Sequence, residues 1–344
     1  MSADEAEGDQ AALPRVTSKL FGHGGTEAAL LAAYRSGRVP HAFMLIGQSG
    51  IGKATLAYRM ARFLLAHPDP AAEGVRSAKS LALPSDHRVA RLVAAQGQPD
   101  LLVLARRVGE SGALRTVIAV EDVRRLVPFL GSTAGEGGWR VVIVDSADEL
   151  NAAGANALLK LLEEPPLRCV FLIVSHAPGR LLATIRSRCR RLLLRPLDPA
   201  EVARAVGAAL GRDSDDPAVQ QAAAASGGSV AQAVALLGGP LLALRERVIE
   251  LLGLLPSIDQ RALHAIGDSL ERADRVVLTA FVDVARDWLS GRLSRAAGEG
   301  DHAARLAQAW ENINSTARDV EMYNLERKPL VFKVFGWLAE AARG

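Results

Sequence analysis

Short apolar runs alternate with amphipathic segments over the first 196 residues of the 344-residue chain. The runs are rich in Val, Ile and Leu, which is typical of strands that are buried on both faces of a parallel sheet. Between them, apolar residues recur at helical spacing. The predicted strands are 42–46, 100–105, 139–145, 169–174 and 191–194. This alternation predicts a doubly wound α/β domain over residues 15–196.

The pattern changes after Pro196, where helical spacing continues and no further strand is predicted. A break at Gly238-Gly-Pro240 separates a small helical domain, 197–239, from an all-α domain, 240–344. The helices predicted after Pro196 are 199–211, 216–226, 229–237, 241–254, 258–268, 271–296, 301–320 and 331–342. The protein is therefore predicted to have an α/β part followed by two helical parts.

Several other segments of the α/β part can be assigned from their pattern. Residues 26–34 predict a helix with Thr26 as its N-cap, and residues 67–99, which contain four prolines, predict irregular structure with one short helix at 89–95. The acidic, Ala-rich and Gly-rich residues 1–14 predict a disordered tail. Further helices are predicted at 53–66, 120–130, 151–164 and 180–188, and loops or turns at 106–115 and 131–138.

Composition narrows the class of protein. The hydrophobic content of 49% is enough for a packed core, and a net charge of +3 permits an acidic partner without demanding one. The two cysteines, Cys169 and Cys189, suit a reducing compartment and are too few for a four-cysteine zinc site. No apolar run approaches the length of a membrane span, and the N-terminus has no signal-peptide core. We expect a cytoplasmic protein without membrane contact.

The stretch from Gly47 to Thr55, Gly-Gln-Ser-Gly-Ile-Gly-Lys-Ala-Thr, lies between a predicted strand and a predicted helix. In that context glycines let backbone N–H groups converge on phosphate oxygens, and the lysine reaches the outer phosphates. We predict a nucleotide-binding loop; a glycine turn before a core helix is the alternative. The candidate nucleotide-binding residues of this loop are Gly47, Gly50, Gly52, Lys53, Ala54 and Thr55.

Ala54 stands where such loops carry Ser or Thr, whose hydroxyl binds Mg²⁺. Thr55 comes one residue later and therefore points about 100° further round the helix. We expect the loop to lack its metal ligand.

Two more candidates stand at predicted strand ends. Asp145 could bind Mg²⁺ directly or through water, but the neighbouring place, where a hydrolase needs a base, holds Ser146, and a hydroxyl of ordinary pKa cannot do that work. Alternatively, Asp145 caps the next helix. Ser175 could bind a γ-phosphate or water, or be an ordinary loop residue.

Four arginines surround Cys189: Arg186, Arg188, Arg190 and Arg191. A run of charges is usually a solvated face, and we interpret Arg186 and Arg191 in that way. Arg188, in Ser187-Arg-Cys189, is the candidate catalytic residue. A guanidinium is permanently charged and bidentate, so it suits the stabilisation of phosphoryl-transfer charge in trans.

Together, these motifs resemble the bacterial DNA polymerase III clamp-loader subunits of the AAA+ class. The most specific segment is Ser175-His-Ala-Pro178 followed by residues 181–189. The other matching segments are His41-Ala-Phe43, Gly50-Ile-Gly-Lys53, Asp145-Ser-Ala-Asp148 and residues 156–166. The C-terminal helices agree with the family in layout but carry no quotable motif.

The chain departs from the ATP-hydrolysing relatives at three positions. Ala54 replaces Ser or Thr, Ser146 replaces Glu, and Ala231, in Gly228-Ser-Val-Ala231, replaces the arginine of a Gly-Ser-x-Arg segment. The Ser-Arg-Cys segment is kept. The chain thus resembles the family's non-hydrolysing type of subunit. Many relatives also carry a four-cysteine zinc module, but residues 67–99 have no cysteine, so no zinc is predicted.

The resemblance implies a role in a five-membered ring. Residues 197–239 would form the lid domain and 240–344 an oligomerisation collar. Arg188 would face ATP in a neighbouring subunit, while ATP binding at Lys53 would be weak or absent. The implied partners are the clamp-loader ATPase (gamma/tau) and delta subunits, with the sliding clamp and primed DNA reached through the complex. The chain would have no ATPase activity of its own, although it would belong to a DNA polymerase holoenzyme.

Two other functions remain open. A self-sufficient AAA+ ATPase motor would need replacements for the missing groups, such as Thr55 and Asp148. A phosphate-loop kinase acting on a small molecule would leave the Ser-Arg-Cys segment and the helical tail without a purpose.

Overall fold

The computed structural model describes residues 13–108, 115–131, 138–237, 240–271, 275–293, 300–323 and 325–343. Most of the predicted disordered tail, and parts of the predicted loop at 106–115, the turn at 131–138, the break at 238–240 and the helix at 271–296, lie outside the described residues. The chain divides into two compact units, Met1–Ala233 and Val234–Gly344.

The first unit is built on a five-stranded sheet. Its strands are β1 (Ala42–Ile46), β2 (Leu101–Leu104), β3 (Arg140–Val144), β4 (Cys169–Ser175) and β5 (Arg190–Leu193). All neighbours are parallel, and the order across the sheet is β2-β3-β4-β1-β5. The five predicted strands are confirmed to within one or two residues.

Helices precede the first strand, connect the strands and follow the last one. In chain order they are α1 (Gly24–Arg35), α2 (Lys53–Ala66), α3 (Glu73–Ser77), α4 (Arg88–Ala94), α5 (Val120–Arg124), α6 (Leu126–Gly131), α7 (Ala152–Glu163), α8 (Ala183–Ser187), α9 (Pro199–Leu210), α10 (Pro217–Ala225) and α11 (Val230–Leu237). Two 3₁₀ turns, Ala147–Glu149 and Pro178–Arg180, follow β3 and β4.

Alternate residues of each inner strand face opposite sides of the sheet, so one strand serves two cores. Phe43 and Leu45 pack with α1, α2 and α4 on one side. Ala42 and Met44 pack with α5 to α8 on the other. Helices on both faces confirm the predicted doubly wound α/β architecture.

Four local predictions need correction. The helix predicted at 120–130 is divided by a turn at Arg125 into α5 and α6. The first helix begins at Gly24 and not after Thr26, since His23 precedes its first turn and is fixed by a contact described below. Residues 67–99 contain two short helices, α3 and α4, where one was predicted. The predicted helix at 180–188 is a 3₁₀ turn followed by the short α8.

Side chains of α1 hold the irregular segment after α2. Arg35 donates from Nε to the Val75 carbonyl at 2.8 Å and from Nη2 to the Ala78 carbonyl. Glu27 accepts from the Leu81 backbone N–H at 3.2 Å. This segment is therefore anchored through its backbone, by hydrogen bonds to charged side chains.

Among its described residues, the second unit consists of helices and short turns, with no strand. Its helices are α12 (Pro240–Gly253), α13 (Gln260–Glu271), α14 (Arg275–Leu293), α15 (Gly300–Tyr323) and α16 (Lys328–Ala342). Its core includes Leu263, Phe281, Ile313 and Phe335. In the part of the chain that the structure describes, no helix is both long and apolar enough to cross a membrane.

Candidate functional site

The carboxyl ends of β1, β3 and β4 bring the predicted nucleotide-site residues together. Gly47 follows β1, Asp145 follows β3 and Ser175 ends β4. Because β4 lies between β3 and β1, the three strand ends are adjacent at one edge of the parallel sheet. The predicted phosphate loop leads from β1 into α2.

The three glycines of the loop are required by its geometry. Gly50 and Gly52 have φ angles of +75° and +101°, which residues other than glycine rarely adopt. A Cβ atom on Gly47 would lie 2.6 Å from the Leu194 carbonyl oxygen. The loop thus has the backbone that its glycine pattern predicts.

Lys53 is buried, with 3% of its surface exposed. Its ammonium donates to the Gly47 carbonyl oxygen at 2.6 Å and to the Gln48 carbonyl oxygen. Burial lowers the pKa of Lys53 to about 8, and the negative charges of Asp145 and Asp148 partly oppose that effect. The lysine that was predicted to reach phosphates is bonded to the loop's own backbone.

The first turn of α2 carries the next two candidates. Ala54 is its second residue and offers no metal ligand, and Thr55 follows it, half-buried. Across the described residues, no cluster of three or more His, Cys, Asp or Glu side chains is arranged to hold a metal ion.

A hydrogen-bonded network occupies the ends of β3 and β4. Ser146 Oγ lies 2.7 Å from His176 Nε2. Ser175, fully buried, donates from Oγ to Asp148 Oδ1 at 2.6 Å, and the His176 backbone N–H donates to Asp148 Oδ2. Burial raises the pKa of Asp145, against the opposing effects of His176, Ser146 and Lys53. The hydroxyl of Ser175 thus donates its proton to another protein group, Asp148.

His176 was missed as a site residue by sequence reasoning, and Asp148 was named only for the alternative of a self-sufficient motor. His176 directly follows β4, and Asp148 lies in the 3₁₀ turn after β3, at the edge where parallel strands bring polar side chains together. That position was the available signal. Asp145 does not cap a helix with its side chain, because Ser146 precedes the 3₁₀ turn that follows β3.

The helical segment after β5 touches the phosphate loop. The backbone N–H groups of Val230 and Ala231, at the start of α11, donate to the Gly50 carbonyl at 2.9 and 3.3 Å. Gln48 Nε2 donates to the Gly227 carbonyl at 3.3 Å. The start of α11 is therefore hydrogen-bonded directly to the loop.

His23, which precedes α1, contacts the backbone of the loop. It is buried, and its Nε2 lies 2.6 Å from the Ile51 carbonyl oxygen. Burial lowers the pKa of His23, and the hydrogen bond to Ile51 opposes this. No pattern in the sequence singled out this residue.

Arg188 follows α8 and is partly exposed, with 35% of its side-chain surface accessible. Its Nη2 lies 2.9 Å from Glu163 Oε1, and its Nη1 donates to the Thr184 carbonyl at 3.0 Å. Glu163 was not singled out, although it lies in a segment that resembles the clamp-loader family. Arg186, predicted to lie on a solvated face, is half-buried and donates to the Pro178 carbonyl, whereas Arg191 is exposed.

Known proteins match this chain over both the phosphate loop and the segment that contains Arg188. The family model "DNA polymerase III, delta subunit" matches residues 23–198, which is just over half of the chain. The DNA polymerase III subunit delta' of Pseudomonas aeruginosa is 36% identical over 253 residues, covering 74% of this chain and 71% of that protein. The chain belongs to the DNA polymerase III delta' family.

Other members of the delta' family, and relatives outside it, also match. The subunit delta' of Escherichia coli K12 is 34% identical over 69% of this chain and 66% of its own length. A DNA polymerase III subunit gamma/tau of Mycobacterium tuberculosis is 28% identical over 78% of this chain and 45% of its own length. The resemblance to bacterial DNA polymerase III subunits is thereby confirmed, and the parallel sheet described above agrees with the predicted α/β class. The roles of the individual site residues stay predictions.

Proposed function

We propose that this chain is a clamp-loader subunit that does not hydrolyse ATP but supports hydrolysis by a neighbour. The observation that carries this proposal is the position of Lys53, whose ammonium is bonded to the carbonyl oxygens of Gly47 and Gln48. ATP would have to break both bonds before the lysine could contact a phosphate. Nucleotide binding at this loop is therefore weak or absent.

The neighbouring groups support the same conclusion. Ala54 has no hydroxyl for Mg²⁺, and Ser146 is paired with His176 and has no carboxylate to position water. Ala231 occupies the place of the lid arginine and lies on Gly50. The alternative of a self-sufficient motor would require Asp148 to act, but its carboxylate already accepts from Ser175 and His176.

Arg188 is the group offered to the neighbour. Its ion pair with Glu163 is partly exposed, with 35% and 44% of the two side chains accessible, and pairs of this kind contribute about 0–1 kcal/mol. A phosphate presented by an adjacent subunit can therefore displace Glu163 at little expense in free energy. Arginines supplied in trans accelerate phosphoryl transfer by about 10³–10⁵-fold.

The partners follow from the family and are part of the proposal. The α/β unit would sit beside a gamma/tau ATPase subunit in a ring that also holds delta, and the helices of the second unit would join the collar. The ring would load the sliding clamp on primed DNA in the cytoplasm. This chain would contribute Arg188 to the neighbour's ATP site and occupy one place in the ring, without hydrolysing ATP itself.

The first experiment measures steady-state ATP turnover by the purified chain alone, with Mg²⁺ and primed DNA. We expect no turnover above that of a Lys53→Ala variant. Clear turnover that Lys53→Ala abolishes would contradict the proposal and make the chain a motor in its own right.

The second experiment measures DNA-stimulated turnover by the reconstituted complex. Arg188→Ala should lower turnover at least tenfold without changing assembly, because it removes charge stabilisation from the neighbour's site. Arg191→Ala is the matched control, since Arg191 is exposed on the adjacent β5. Equal turnover of the Arg188→Ala and wild-type complexes would rule out the trans role.

A further inference from the structure

Strand β2 forms one edge of the sheet, and a groove with a volume of about 540 Å³ runs along it. Its lining includes residues 101–105, side chains from three helices (Tyr58, Val93 and Phe129) and Arg125, which lies in the turn between α5 and α6. The groove lies within the first unit and contains neither a residue of the phosphate loop nor Arg188.

The backbone of β2 has one side directed away from the sheet. Asp100 and Leu104 accept from the backbone N–H groups of Val141 and Asp145, at 3.0 and 2.8 Å. Because backbone groups alternate along a strand, the N–H and C=O of Val103 point away from β3. Among the described residues, no strand pairs with that side of β2. An edge of this kind is a template for an added strand.

The side chains of β2 are also less covered than those of its neighbour. Leu101, Leu102 and Val103 are half-buried, whereas all five residues of β3 are buried. An extended segment lying along β2 would therefore remove apolar surface from water as well as pair with the backbone.

The charged residues that line the groove are Arg106, Arg107, Arg125 and Asp122. Arg106 is already paired with Glu149, its Nε lying 2.7 Å from Oε2, so the other three side chains carry a charge of +1 (two positive, one negative). Arg125 is exposed, and Arg107 has 53% of its side-chain surface accessible. The groove therefore favours an acidic occupant.

Asp122 gives a second, independent indication of an occupant. It is 4% exposed, and its Oδ1 lies 3.3 Å from Arg107 Nη1. Its Oδ2 is buried and has no hydrogen-bond partner among the described residues. Since an unsatisfied buried acceptor is unfavourable, an incoming N–H group would be stabilised there.

We propose that the groove along β2 binds an acidic segment of a partner protein, in extended conformation, as an added strand. The segment's backbone pairs with Val103, and its carboxylates face Arg107 and Arg125. A backbone N–H of the segment supplies the donor for Asp122 Oδ2. A nucleic-acid backbone would satisfy the arginines, but its phosphates have no N–H donor for Asp122 and cannot pair with a strand edge.

The test uses the full chain and a fluorescently labelled peptide of about eight residues that alternates valine and glutamate, the length of an ordinary strand. Binding is measured by fluorescence anisotropy at physiological salt. A peptide with glutamine in place of glutamate controls for charge, and one with proline at its centre controls for strand pairing. We expect saturable binding of the first peptide and at least tenfold weaker binding of both controls.

Two neighbouring arginines provide matched variants: Arg124 is the last residue of α5, and Arg125 follows it. Arg125→Glu, in the groove, should weaken binding at least tenfold, while Arg124→Glu, exposed but outside the groove, should change it less than twofold. The bound peptide should also slow hydrogen exchange at the Val103 amide, a readout that loose electrostatic adsorption would not produce.

Other results would overturn the proposal. Equal effects of the two arginine variants, or binding without protection of Val103, would show non-specific attraction. A further contrary result is that primed DNA displaces the peptide without slowing hydrogen exchange at Val103 or its neighbours. That result would show that the groove binds nucleic acid. Binding only after removal of residues 1–12, which carry Asp4, Glu5, Glu7 and Asp9, would make the chain's own N-terminus the occupant.

Discussion

The ammonium of Lys53 lies 2.6 Å from the carbonyl oxygen of Gly47, so the lysine of the phosphate loop is bonded to the first residue of that loop. The ammonium is buried, and its hydrogen bonds are directed at the loop's own backbone. The negative charges that act on it are those of Asp145 and Asp148, which both follow β3. The loop is thus completed by the protein's own groups.

Burial of Lys53 predicts a specific dependence of stability on pH. Its pKa is about 8 in the folded protein and 10.5 in an ordinary environment. Between these values the unfolded chain binds more protons than the folded chain, so the free energy of unfolding rises with pH. Relative to Lys53→Met, the wild type should gain about 1–3 kcal/mol across this interval. Urea denaturation at several pH values measures the gain, and parallel curves for the two proteins would contradict it.

Gly50 is predicted to be intolerant of any side chain. A Cβ atom there would overlap the Ser229 hydroxyl and lie 2.7 Å from Ala231 Cβ, in addition to the positive φ angle. Gly37, with φ +68° and open space around it, is a control for the backbone effect alone. Gly37→Ala should lose about 1 kcal/mol of stability, and Gly50→Ala about 1–3 kcal/mol more. Chemical denaturation measures the free energy of unfolding of both variants. Equal losses would mean that the start of α11 moves away from Gly50 at no energetic cost.

The buried ion pair between Glu27 and Arg59 should dominate the stability of the segment around α1. The two atoms Oε1 and Nη2 are 2.6 Å apart, and both side chains are at most 10% exposed. Glu27→Ala leaves a buried guanidinium without its carboxylate and should lower stability by about 3–5 kcal/mol.

Glu73, paired with Arg76 at the surface, provides the control for this change. Glu73→Ala should alter the free energy of unfolding by less than about 0.5 kcal/mol. A small effect at both sites in thermal or urea unfolding would show that Arg59 finds another acceptor, in which case the ion pair does not hold the segment.

Glu163 is predicted to be a resting partner of Arg188. Glu163→Gln removes a partly exposed ion pair, so it should change stability by less than about 0.5 kcal/mol. In the reconstituted complex it should preserve or raise DNA-stimulated ATP turnover, because it frees the guanidinium. Glu164→Gln, one residue later, is the control. A loss of turnover as large as that of Arg188→Ala would instead give Glu163 a positioning role.

The sequence predicted the elements whose cause is local. Strand β3 is predicted by its run of buried β-branched residues, 141–144. The conformation of the loop from Gly47 to Lys53 is predicted by its three glycines. Helix boundaries were less accurate. Thr26 looked like a cap, but the helix begins at Gly24 because His23 is docked on the Ile51 carbonyl, a contact across 28 positions.

The interactions that close the candidate site could not be predicted from any pattern. Gly50 and Ala231 are in contact although 181 positions separate them, and Ser146 meets His176 across 30 positions. Periodicity records which face of an element is buried, but it does not record which residue lies opposite. The sequence therefore supplied the residue types of the site, and the structure supplied their pairing.

The anchoring of residues 67–99 by Arg35 has a consequence for the conditions that the protein withstands. A cysteine–zinc module loses its metal to chelators, and acid protonates its thiolates. A guanidinium keeps its charge over the whole range in which proteins stay folded, and the carbonyls of Val75 and Ala78 do not titrate. This segment should therefore keep its attachment to α1 in the presence of EDTA and in oxidising or mildly acidic buffers.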